Sequence, residues 1–419
     1  MEQFHIKGKT SLSGCVSVSG FKNAALAVIP AAICAGDVCI IDNIPYLEDV
    51  KCYIDILENI GAKCEYLDSG VLKIDTKNVT PVKADFESVK KIRASYYVLG
   101  ALLGRFKTAE VALPGGCNFG SRPIDQHIKG LESLGAAIKI EHGMIIASCD
   151  KLIGANIYLD GASVGATINI MLAAVNAEGV TVIENAAKEP HVVDTANFLN
   201  LMGANIKGAG TDIIRITGKQ PLKGVEYTVI PDMIEAGTFM VAAAITRGDI
   251  TVNGIIPKHL ESLTAKLREM NCQVFEGEDY IRVLADGELT GVNVKTQVYP
   301  GFPTDLQPQM TALLCTLPGT NIMTETVFEN RFQYISELKR LGANITVDGR
   351  SAIVEGVSNL TETEVSACDL RAGVTLMIAA FATIGETVLN NVYFVDRGYE
   401  KIENKFKALG GDIVRVTKA

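Results

Sequence analysis

Six stretches of the chain have the apolar pattern of a helix that is buried on every side. Their bodies are rich in alanine, leucine and valine almost all round, as in residues 24–29 and 240–245. A helix without a polar face belongs in a protein interior. The six helices begin 66 to 72 residues apart, near Lys22, Arg93, Ser163, Glu235, Asp305 and Arg371. This spacing predicts six copies of one structural unit.

Each copy also contains an amphipathic helix that stops at a pair of residues before a strand. These pairs are 68 to 74 residues apart and read Gly61-Ala62, Gly135-Ala136, Gly203-Ala204, Asn271-Cys272, Gly342-Ala343 and Gly410-Gly411. Alternating apolar and polar positions then predict a hairpin, as in residues 205–216. A short β-branched run follows most of the apolar helices. The pattern predicts βαβαββ units, each with one inner and one outer helix.

The two ends of the chain carry complementary fragments of this unit. The sixth copy stops after its first hairpin strand, and residues 6–14 align with residues 216–224, which follow a hairpin in mid-chain. We therefore expect the N-terminus to supply the strand that the C-terminus lacks. Three units can close around their own helices, whereas six would enclose a void. The sequence predicts two α/β domains, residues 22–229 and residues 1–21 joined to 230–419, with the active site in a cleft between them.

Composition narrows the class of protein. A chain of 419 residues suits two domains of about 200 residues. The net charge of −9 argues against non-specific nucleic-acid binding. We expect no membrane insertion, because no apolar run reaches the roughly 18 residues of a spanning helix. Met1–His5 lacks the layout of a signal peptide. Ten cysteines without a CxxC pair indicate reduced thiols in a cytoplasmic protein, with neither a metal site nor a cofactor expected.

One loop departs from the repeat. Residues 113–123 read LPGGCNFGSRP, which places three glycines around Cys117 and Arg122. Such a loop can bring its backbone close to a ligand, and a nearby cation lowers the pKa of a thiol. Cys117 is therefore either a reactive cysteine or a small residue tolerated in a flexible turn.

Basic residues recur at equivalent places in the units. Lys22, Arg93 and Arg371 precede buried helices, and Arg331 and Arg397 follow strands. Taken singly, each is most often a solvated charge. Taken together, they can converge on one face, where helix N-termini add positive potential. An acidic protein with this arrangement is expected to bind an anion, such as a phosphate or a carboxylate.

Three further residues are candidates for the site, and two of them, Asp305 and His127, have two interpretations each. Asp305 opens a buried helix where other copies have a cation, so it is either an N-cap or a general base that takes a proton from a substrate hydroxyl. Asp369 is expected to form an ion pair that orients Arg371. His127 either hydrogen-bonds a ligand or caps the helix that follows.

At these residues the chain resembles the bacterial UDP-N-acetylglucosamine 1-carboxyvinyltransferases, which belong to the EPSP synthase-like superfamily. The motifs that carry the resemblance span the chain and are Gly20-Phe21-Lys22-Asn23-Ala24, Arg93-Ala94-Ser95, Leu113-Pro114-Gly115-Gly116-Cys117, Arg122-Pro123-Ile124-Asp125-Gln126-His127, Ser163-Val164-Gly165-Ala166-Thr167, Glu184-Asn185-Ala186-Ala187, Phe302-Pro303-Thr304-Asp305, Thr324-Glu325-Thr326-Val327-Phe328-Glu329-Asn330-Arg331, Asp369-Leu370-Arg371 and Asp396-Arg397-Gly398-Tyr399. The resemblance implies two inside-out α/β barrel domains, each of three repeats.

The resemblance also implies a reaction and the residues that perform it. The enolpyruvyl group of phosphoenolpyruvate would pass to the 3′-hydroxyl of UDP-N-acetylglucosamine by addition and elimination, with release of phosphate. The resemblance implies four catalytic residues. Cys117 would be the proton donor and covalent partner, Asp305 would be the base, and Lys22 and Arg397 would assist as cations. Implied contacts to phosphoenolpyruvate come from Lys22, Asn23, Arg122, Arg371 and Arg397. Implied contacts to the UDP-sugar come from Asn23, Arg93, Arg122, Pro123, Ile124, Asp125, Gln126, Ser163, Val164, Gly165, Asp305 and Val327. His127, Arg331 and Asp369 are expected to support these contacts.

One departure and three alternatives accompany the resemblance. Some members have a lysine just before the Ser-Val-Gly motif, where this chain has Gly161-Ala162, so a diphosphate contact there is absent or replaced. A shikimate-3-phosphate enolpyruvyl transferase would share the lysine and arginines but lack the cysteine loop and a uridine site. A non-catalytic paralogue that senses nucleotide sugar has no need to retain Cys117, Asp305 and Lys22. A repeat scaffold for protein partners gives no reason for cations at helix starts.

Overall fold

The computed structural model describes residues 2–81, 95–113 and 124–417. Their contacts divide them into two compact units. The first unit contains residues 20–81, 95–113 and 124–230, and the second contains residues 2–19 and 231–417. The chain therefore passes from one unit to the other after Ser19 and again after Ile230.

The strands are short and fall into groups that repeat along the chain. In the described residues they are β1 (Glu2–Lys7), β2 (Ser13–Ser17), β3 (Val38–Asp42), β4 (Lys63–Asp68), β5 (Val71–Asp75), β6 (Thr108–Ala112), β7 (Ala137–Glu141), β8 (Met144–Ser148), β9 (Asn156–Tyr158), β10 (Val180–Glu184), β11 (Asn205–Lys207), β12 (Ile213–Thr217), β13 (Glu226–Thr228), β14 (Asp249–Asn253), β15 (Gln273–Glu276), β16 (Tyr280–Leu284), β17 (Val294–Lys295), β18 (Thr320–Thr324), β19 (Asn344–Asp348), β20 (Ser351–Glu355), β21 (Leu360–Thr361), β22 (Glu364–Ser366), β23 (Thr383–Ile384), β24 (Glu386–Asn390) and β25 (Ile413–Thr417).

Along most of the chain, helices that are buried on all sides alternate with helices that are partly exposed. In the same residues they are α1 (Lys22–Ala31), α2 (Glu48–Asn59), α3 (Tyr96–Phe106), α4 (Asp125–Ser133), α5 (Val164–Ala174), α6 (Pro190–Met202), α7 (Met233–Ile245), α8 (Glu261–Glu269), α9 (Gln307–Leu314), α10 (Ile335–Arg340), α11 (Leu370–Ala382), α12 (Tyr393–Asp396) and α13 (Ile402–Ala408). Short 3₁₀ turns follow α1 and precede α8 and α9.

Five four-stranded sheets share one topology. In each, the first strand runs parallel to the second, and the third and fourth strands add antiparallel pairs. The strand orders are β13-β3-β5-β4, β9-β10-β12-β11, β2-β14-β16-β15, β17-β18-β20-β19 and β22-β24-β1-β25. The β6-β8-β7 sheet has the same two antiparallel pairings. This recurrence confirms the predicted βαβαββ repeats, and it gives three such sheets to each unit.

The N-terminal strand completes the sixth repeat, as the sequence predicted. Strand β1 lies between β24 and β25 and is antiparallel to both. Phe4 lies opposite Leu389 on one side and Arg415 on the other. The last hairpin is therefore made from the two ends of the chain.

The inner helices form the cores of the two units. Helices α1, α3 and α5 are buried in the first unit, and α7, α9 and α11 are buried in the second. Close approach explains one glycine in α3, because a Cβ on Gly100 would lie 2.2 Å from the carbonyl oxygen of Asn169. The Gly100 amide donates to Asn169 Oδ1 at 2.7 Å, which ties α3 to α5.

Backbone conformation explains the residue pairs that end the outer helices. A positive φ lets the chain reverse after the helix, and glycine adopts it without strain, with asparagine the next best choice. The first residue of all six pairs has a φ in this range, and the values are 102° at Gly61, 96° at Gly135, 117° at Gly203, 71° at Asn271, 88° at Gly342 and 87° at Gly410.

The described part of the chain does not meet the requirements of a disulfide, a metal site or a membrane-spanning helix. Its nine cysteines are all free thiols. It contains no group of three or more His, Cys, Asp or Glu residues that could hold a metal ion. Within the same ranges, no helix has both the length and the apolar character needed to cross a membrane.

Candidate active site

Asp305 is held by two arginines from different repeats of the second unit. It lies in the 3₁₀ turn Thr304–Leu306 that leads into α9. Asp305 Oδ1 accepts a hydrogen bond from Arg331 Nη2 at 2.6 Å, and Oδ2 accepts one from Arg371 Nη2 at 2.9 Å. Arg331 follows β18, and Arg371 is in the first turn of α11. The interpretation of Asp305 as an N-cap is therefore wrong, since both of its oxygens face guanidinium groups.

The two arginines are buried, but the carboxylate remains partly accessible. Side-chain exposure is 3% for Arg331 and 5% for Arg371, against 28% for Asp305. The carboxylate is therefore the most accessible member of the cluster, and its two cations are buried beside it. This arrangement fixes two positive charges beside a partly accessible carboxylate.

Arg371 has a second set of partners beneath Asp305. Its Nη1 donates to the hydroxyl of buried Tyr399 at 3.1 Å, and that hydroxyl also lies 3.0 Å from Thr238 Oγ1 and 3.4 Å from Gln309 Nε2. The two terminal nitrogens of the Arg371 guanidinium are thus directed toward different oxygens. Lysine could not reproduce this geometry, because its ammonium is a single point of charge.

The pKa shifts agree with this geometry. Burial raises the pKa of the Asp305 carboxyl, but the charges of Arg371 and Arg331 outweigh burial and hold it well below its usual range. Burial lowers the pKa of Arg371, but Tyr399 and Asp305 outweigh that effect and raise it above the ordinary arginine value. The cluster is thus an ionised carboxylate between two permanent cations. In this state Asp305 is a weak base, because a lowered pKa reduces its affinity for a proton.

Asp369 orients Arg371 through the backbone. Its Oδ1 accepts hydrogen bonds from the backbone amides of Arg371 at 2.8 Å and Ala372 at 3.0 Å, which is the geometry of an N-cap. The guanidinium of Arg371 is directed toward Asp305 and Tyr399 instead. The expectation of an Asp369–Arg371 ion pair is thus replaced by a helix cap that fixes where α11 begins.

Arg397 directly follows the short helix α12. The preceding residue, Asp396, accepts two hydrogen bonds from Arg415, at 2.9 and 2.6 Å. Arg415 also contacts Glu403 and Glu2. These ion pairs tie the end of α12 to the C-terminal strand, so the backbone that leads into Arg397 is anchored.

In the first unit, Lys22 is a buried cation with a buried partner. It begins α1, and its Nζ lies 2.6 Å from Asp49 Oδ2, with both side chains 7% exposed. The preceding turn needs a glycine, because a Cβ on Gly20 would lie 1.7 Å from the carbonyl oxygen of Asn43. Asp49, in the first turn of α2, had no predicted role. No spacing in the sequence linked the two residues.

Two other motifs of the first unit pack together. Gln126 Oε1 accepts a hydrogen bond from the amide of Gly161 at 3.4 Å, and Ser163 caps α5 by accepting from Ala166 N at 3.3 Å. A Cβ on Gly165 would lie 2.9 Å from His127 Nε2. The residues 125–127 and 161–165 therefore form one surface, although 36 residues separate Gly161 from Asp125 along the chain.

His127 has a structural partner in this surface. It lies inside α4, buried, with Nδ1 3.1 Å from Asn169 Nδ2 and its ring centroid 5.0 Å from that of Tyr96. The expectation that His127 caps a helix is wrong, since Ile124 precedes α4 in the cap position. Through Asn169, His127 is connected to the inner helices α3 and α5.

The remaining candidate residues divide into two groups. Asn23, Ile124, Asp125, Val164 and Val327 lie at or beside helix starts and turns with partly or fully exposed side chains. Arg93, Cys117, Arg122 and Pro123 lie outside the described residues. Tyr399 belongs to a motif that the sequence singled out, but only the fold shows that its hydroxyl holds Arg371.

Comparison with solved structures identifies the fold as that of the enolpyruvyl transferases. The chain superposes on the enolpyruvyl transferase NikO from Streptomyces tendae with a TM-score of 0.90 and 26% identity, covering 100% of this chain and 99% of that one. EPSP synthase from Acinetobacter baumannii gives a TM-score of 0.78 at 20% identity over both full chains, which supports the fold alone. These matches agree with the predicted fold class.

Sequence comparison then gives the family. The chain belongs to the family described as EPSP synthase (3-phosphoshikimate 1-carboxyvinyltransferase), which it matches over residues 6–406. It is 56% identical over 417 residues to a UDP-N-acetylglucosamine 1-carboxyvinyltransferase of Clostridium botulinum, covering 99% of this chain and 100% of the relative. It is 54% identical over 416 residues to a UDP-N-acetylglucosamine 1-carboxyvinyltransferase 2 of Clostridium acetobutylicum, covering 99% of both.

Proposed function

We propose that this chain transfers the enolpyruvyl group of phosphoenolpyruvate to the 3′-hydroxyl of UDP-N-acetylglucosamine, which is the first committed step in peptidoglycan precursor synthesis. The observation that carries the proposal is full-length identity above 50% to enzymes named for this reaction. The cluster of Asp305, Arg331 and Arg371 supports it, because it combines an accessible carboxylate with fixed cations.

The reaction requires one addition and one elimination. The 3′-oxygen of the sugar bonds to C2 of phosphoenolpyruvate while a proton is added to C3, which gives a tetrahedral intermediate. C3 then loses a proton as the C2–O bond to phosphate breaks, and the double bond re-forms. The hydroxyl must therefore lose a proton, and C3 must gain one and lose one. We assign the proton on C3 to Cys117 and the position beside the hydroxyl to Asp305.

Two polyanions must be desolvated together, and this requires several fixed cations. We assign phosphoenolpyruvate to Lys22, Arg122, Arg371 and Arg397, with Asn23 beside Lys22. Buried guanidinium groups suit this role because they lose little solvation when an anion arrives and can bind carboxylate or phosphate in a bidentate manner. We assign the UDP-sugar to Asn23, Arg93, Arg122, Pro123, Ile124, Asp125, Gln126, Ser163, Val164, Gly165, Asp305 and Val327.

Binding of phosphoenolpyruvate also changes the basicity of Asp305. In the structure, two guanidinium charges hold the pKa of Asp305 well below its usual range. An anion that pairs with Arg371 screens one of these charges and adds a negative charge nearby, and both effects raise a carboxyl pKa. Asp305 would then become a stronger base only when phosphoenolpyruvate is bound. Removal of the proton from the sugar hydroxyl would therefore be limited to the complex that contains both substrates.

A phosphate-release assay tests the proposed function directly. We expect release of phosphate from phosphoenolpyruvate to require UDP-N-acetylglucosamine, with little release when shikimate 3-phosphate replaces it. Saturable release of phosphate from phosphoenolpyruvate with shikimate 3-phosphate, but not with UDP-N-acetylglucosamine, would instead support a 3-phosphoshikimate 1-carboxyvinyltransferase. Binding of the UDP-sugar without any phosphate release would support a non-catalytic nucleotide-sugar protein.

We expect Lys22→Ala to raise the KM for phosphoenolpyruvate by about 10- to 100-fold. A hydrogen bond to a charged group contributes on the order of 1.5–3 kcal/mol, and the substitution removes one such donor from the anion. Initial rates measured across phosphoenolpyruvate concentrations at saturating UDP-N-acetylglucosamine give this value. The exposed Lys77, which pairs with Asp37 at 3.3 Å in the same unit, provides the control variant Lys77→Ala.

A second variant separates this effect from instability. Lys22→Ala removes the 2.6 Å partner of buried Asp49, which lowers stability as well. The double variant Lys22→Ala with Asp49→Asn removes that buried negative charge, so we expect it to regain stability but not affinity for phosphoenolpyruvate. An unaltered KM in both variants would exclude Lys22 from the anion site.

We expect an epoxide phosphonate such as fosfomycin, which mimics phosphoenolpyruvate, to alkylate Cys117 and inactivate the enzyme. A thiolate beside bound cations is a good nucleophile toward a tethered epoxide. In Cys117→Asp, some turnover should remain without alkylation, because a carboxyl group can donate a proton but attacks the epoxide poorly. Mass spectrometry of digested protein locates the adduct. An adduct on one of the other nine cysteines would contradict the assignment.

A further inference from the structure

The buried carboxylate of Glu325 accepts hydrogen bonds from two segments of the candidate site, the turn at Thr304 and the loop at Val327. Glu325 directly follows β18 and is 1% exposed. Its Oε1 accepts hydrogen bonds from Val327 N at 2.7 Å, Phe328 N at 3.0 Å and Thr296 Oγ1 at 2.9 Å. Its Oε2 accepts from Thr304 Oγ1 at 2.8 Å. Four donors from three parts of the second unit therefore converge on one side chain.

The Thr304 hydroxyl connects Glu325 to the arginine–carboxylate cluster. Thr304 Oγ1 also receives a hydrogen bond from Arg331 Nη1 at 2.9 Å, while Arg331 Nη2 donates to Asp305 at 2.6 Å. Because guanidinium can only donate, Thr304 must accept from Arg331 and donate its own proton to Glu325. The chain of hydrogen bonds therefore has a single direction, from Arg331 through Thr304 to Glu325.

We infer that Glu325 is a positioning residue for the UDP-sugar side of the site. It fixes the backbone at Val327 and, through Thr304 and Arg331, the orientation of the Asp305 carboxylate. This inference rests on the proposed roles of Asp305 and Val327. It adds that the distance between these two contacts is set by one side chain, Glu325, which is buried and acts only through its neighbours.

The arrangement requires a carboxylate and excludes the amide of the same shape. In Glu325→Gln, an amide nitrogen directed toward Thr304 would give that hydroxyl two N–H donors and leave its own proton without this acceptor. In the flipped orientation, the amide nitrogen would face the donors of Val327, Phe328 and Thr296. The first orientation leaves the Thr304 proton without its acceptor, and the second places donors against donors, so each weakens the contacts that hold the segment.

Isothermal titration with UDP-N-acetylglucosamine and steady-state kinetics test this inference. We expect Glu325→Gln to raise the Kd for UDP-N-acetylglucosamine by about 10- to 100-fold and to lower kcat, with the KM for phosphoenolpyruvate changing by less than about threefold. Binding stoichiometry should remain near one site per chain. A merely structural role would instead lower the stoichiometry and kcat together and leave Kd unchanged, and that result would overturn the inference.

A second substitution tests the relay if Glu325→Gln fails to fold. Thr304→Val removes the link to Arg331 but leaves the Val327 and Phe328 amides bound to Glu325. We expect Thr304→Val to lower kcat by about tenfold and Thr304→Ser, which keeps the hydroxyl, to restore kcat to within about twofold. Equal losses in the valine and serine variants would overturn the relay.

Control variants separate this inference from the proposed function. Glu329 lies in the same segment, 76% exposed and 3.4 Å from Arg350, so Glu329→Gln should leave all constants within about twofold. If Asp305→Asn impairs turnover while Glu325→Gln and Thr304→Val behave as wild type, the inference fails and the proposed function stands. If all three variants behave as wild type, the inference and the assignment of Asp305 as the base both fail, whereas the proposed function fails only if the wild-type protein releases no phosphate with both substrates present.

Discussion

We expect Asp305→Asn to lower kcat by about 10²- to 10⁴-fold, the usual contribution of a positioned acid or base. Asparagine is nearly isosteric with aspartate, but it cannot remove a proton from the sugar hydroxyl. Its amide nitrogen would also face one of the two guanidinium groups that the carboxylate now accepts from. Single-turnover rates with both substrates saturating measure the effect, and titration of UDP-N-acetylglucosamine alone shows whether binding survives.

The matched control is a carboxylate–arginine pair elsewhere in the second unit. Asp249 accepts two hydrogen bonds from Arg282 at 2.7 Å, and both side chains are partly exposed, so Asp249→Asn makes the same change in contact with solvent. We expect this control to keep its kcat, because exposed pairs contribute little. A normal kcat in Asp305→Asn would reject Asp305 as the base.

The same substitution has a defined pH dependence. The pKa of Asp305 lies below its unfolded value of 3.8, so its ionised form stabilises the fold at neutral pH. That contribution is present above the unfolded pKa and is lost as the pH falls through the lower, folded pKa. We expect the difference in unfolding free energy between wild type and Asp305→Asn to be the same at pH 7 and pH 5. It should shrink only below about pH 4.

The second large effect is expected at Arg371. Arg371→Lys should lower kcat/KM for phosphoenolpyruvate by about 10²- to 10³-fold, as removal of one preorganised donor does in other enzymes. A lysine keeps the charge, but it cannot hold Asp305 at 2.9 Å and Tyr399 at 3.1 Å with two separate nitrogens. Initial rates at varied phosphoenolpyruvate concentration provide the measurement.

Two controls show whether geometry or charge causes the loss. Arg282→Lys makes the same change in the exposed pair with Asp249, and we expect no loss of activity. Tyr399→Phe removes the hydroxyl that Arg371 donates to, while keeping the ring that lies 5.5 Å from the guanidinium carbon. We expect Tyr399→Phe to reproduce part of the Arg371→Lys defect. Full activity in Arg371→Lys would show that its two-pronged contact has no part in turnover.

The fold was predictable because hydrophobic periodicity is local. Inner helices such as residues 233–245 are apolar on all sides, and the residue pairs that end the outer helices need a left-handed φ, so both leave a repeating mark in the sequence. The alignment of residues 6–14 with residues 216–224 led to the N-terminal strand of the last sheet. The first two constraints act on residues that are close in sequence, and the third was predictable because the N-terminal segment repeats a pattern found in mid-chain.

The interior of the site was less predictable because its contacts join distant residues. Nothing local distinguishes an Asp305 that caps a helix from one that binds Arg331 and Arg371, which lie 26 and 66 residues away. Glu325 likewise reads as an ordinary acidic residue after a strand. Its donors Thr296 and Thr304 lie 29 and 21 residues away along the chain. Sequence patterns identified the polar residues, and the packing of three repeats determined their partners.

The central claim is that the chain joins phosphoenolpyruvate to UDP-N-acetylglucosamine. Its most direct test is to incubate the purified protein with both compounds and characterise the nucleotide-sugar product by NMR and mass spectrometry, with phosphate measured in the same sample. We predict an enolpyruvyl ether on the 3′-oxygen of the sugar and one phosphate for each ether formed. Recovery of only unmodified UDP-N-acetylglucosamine from incubation with correctly folded protein would contradict the claim, and so would an ether at another hydroxyl.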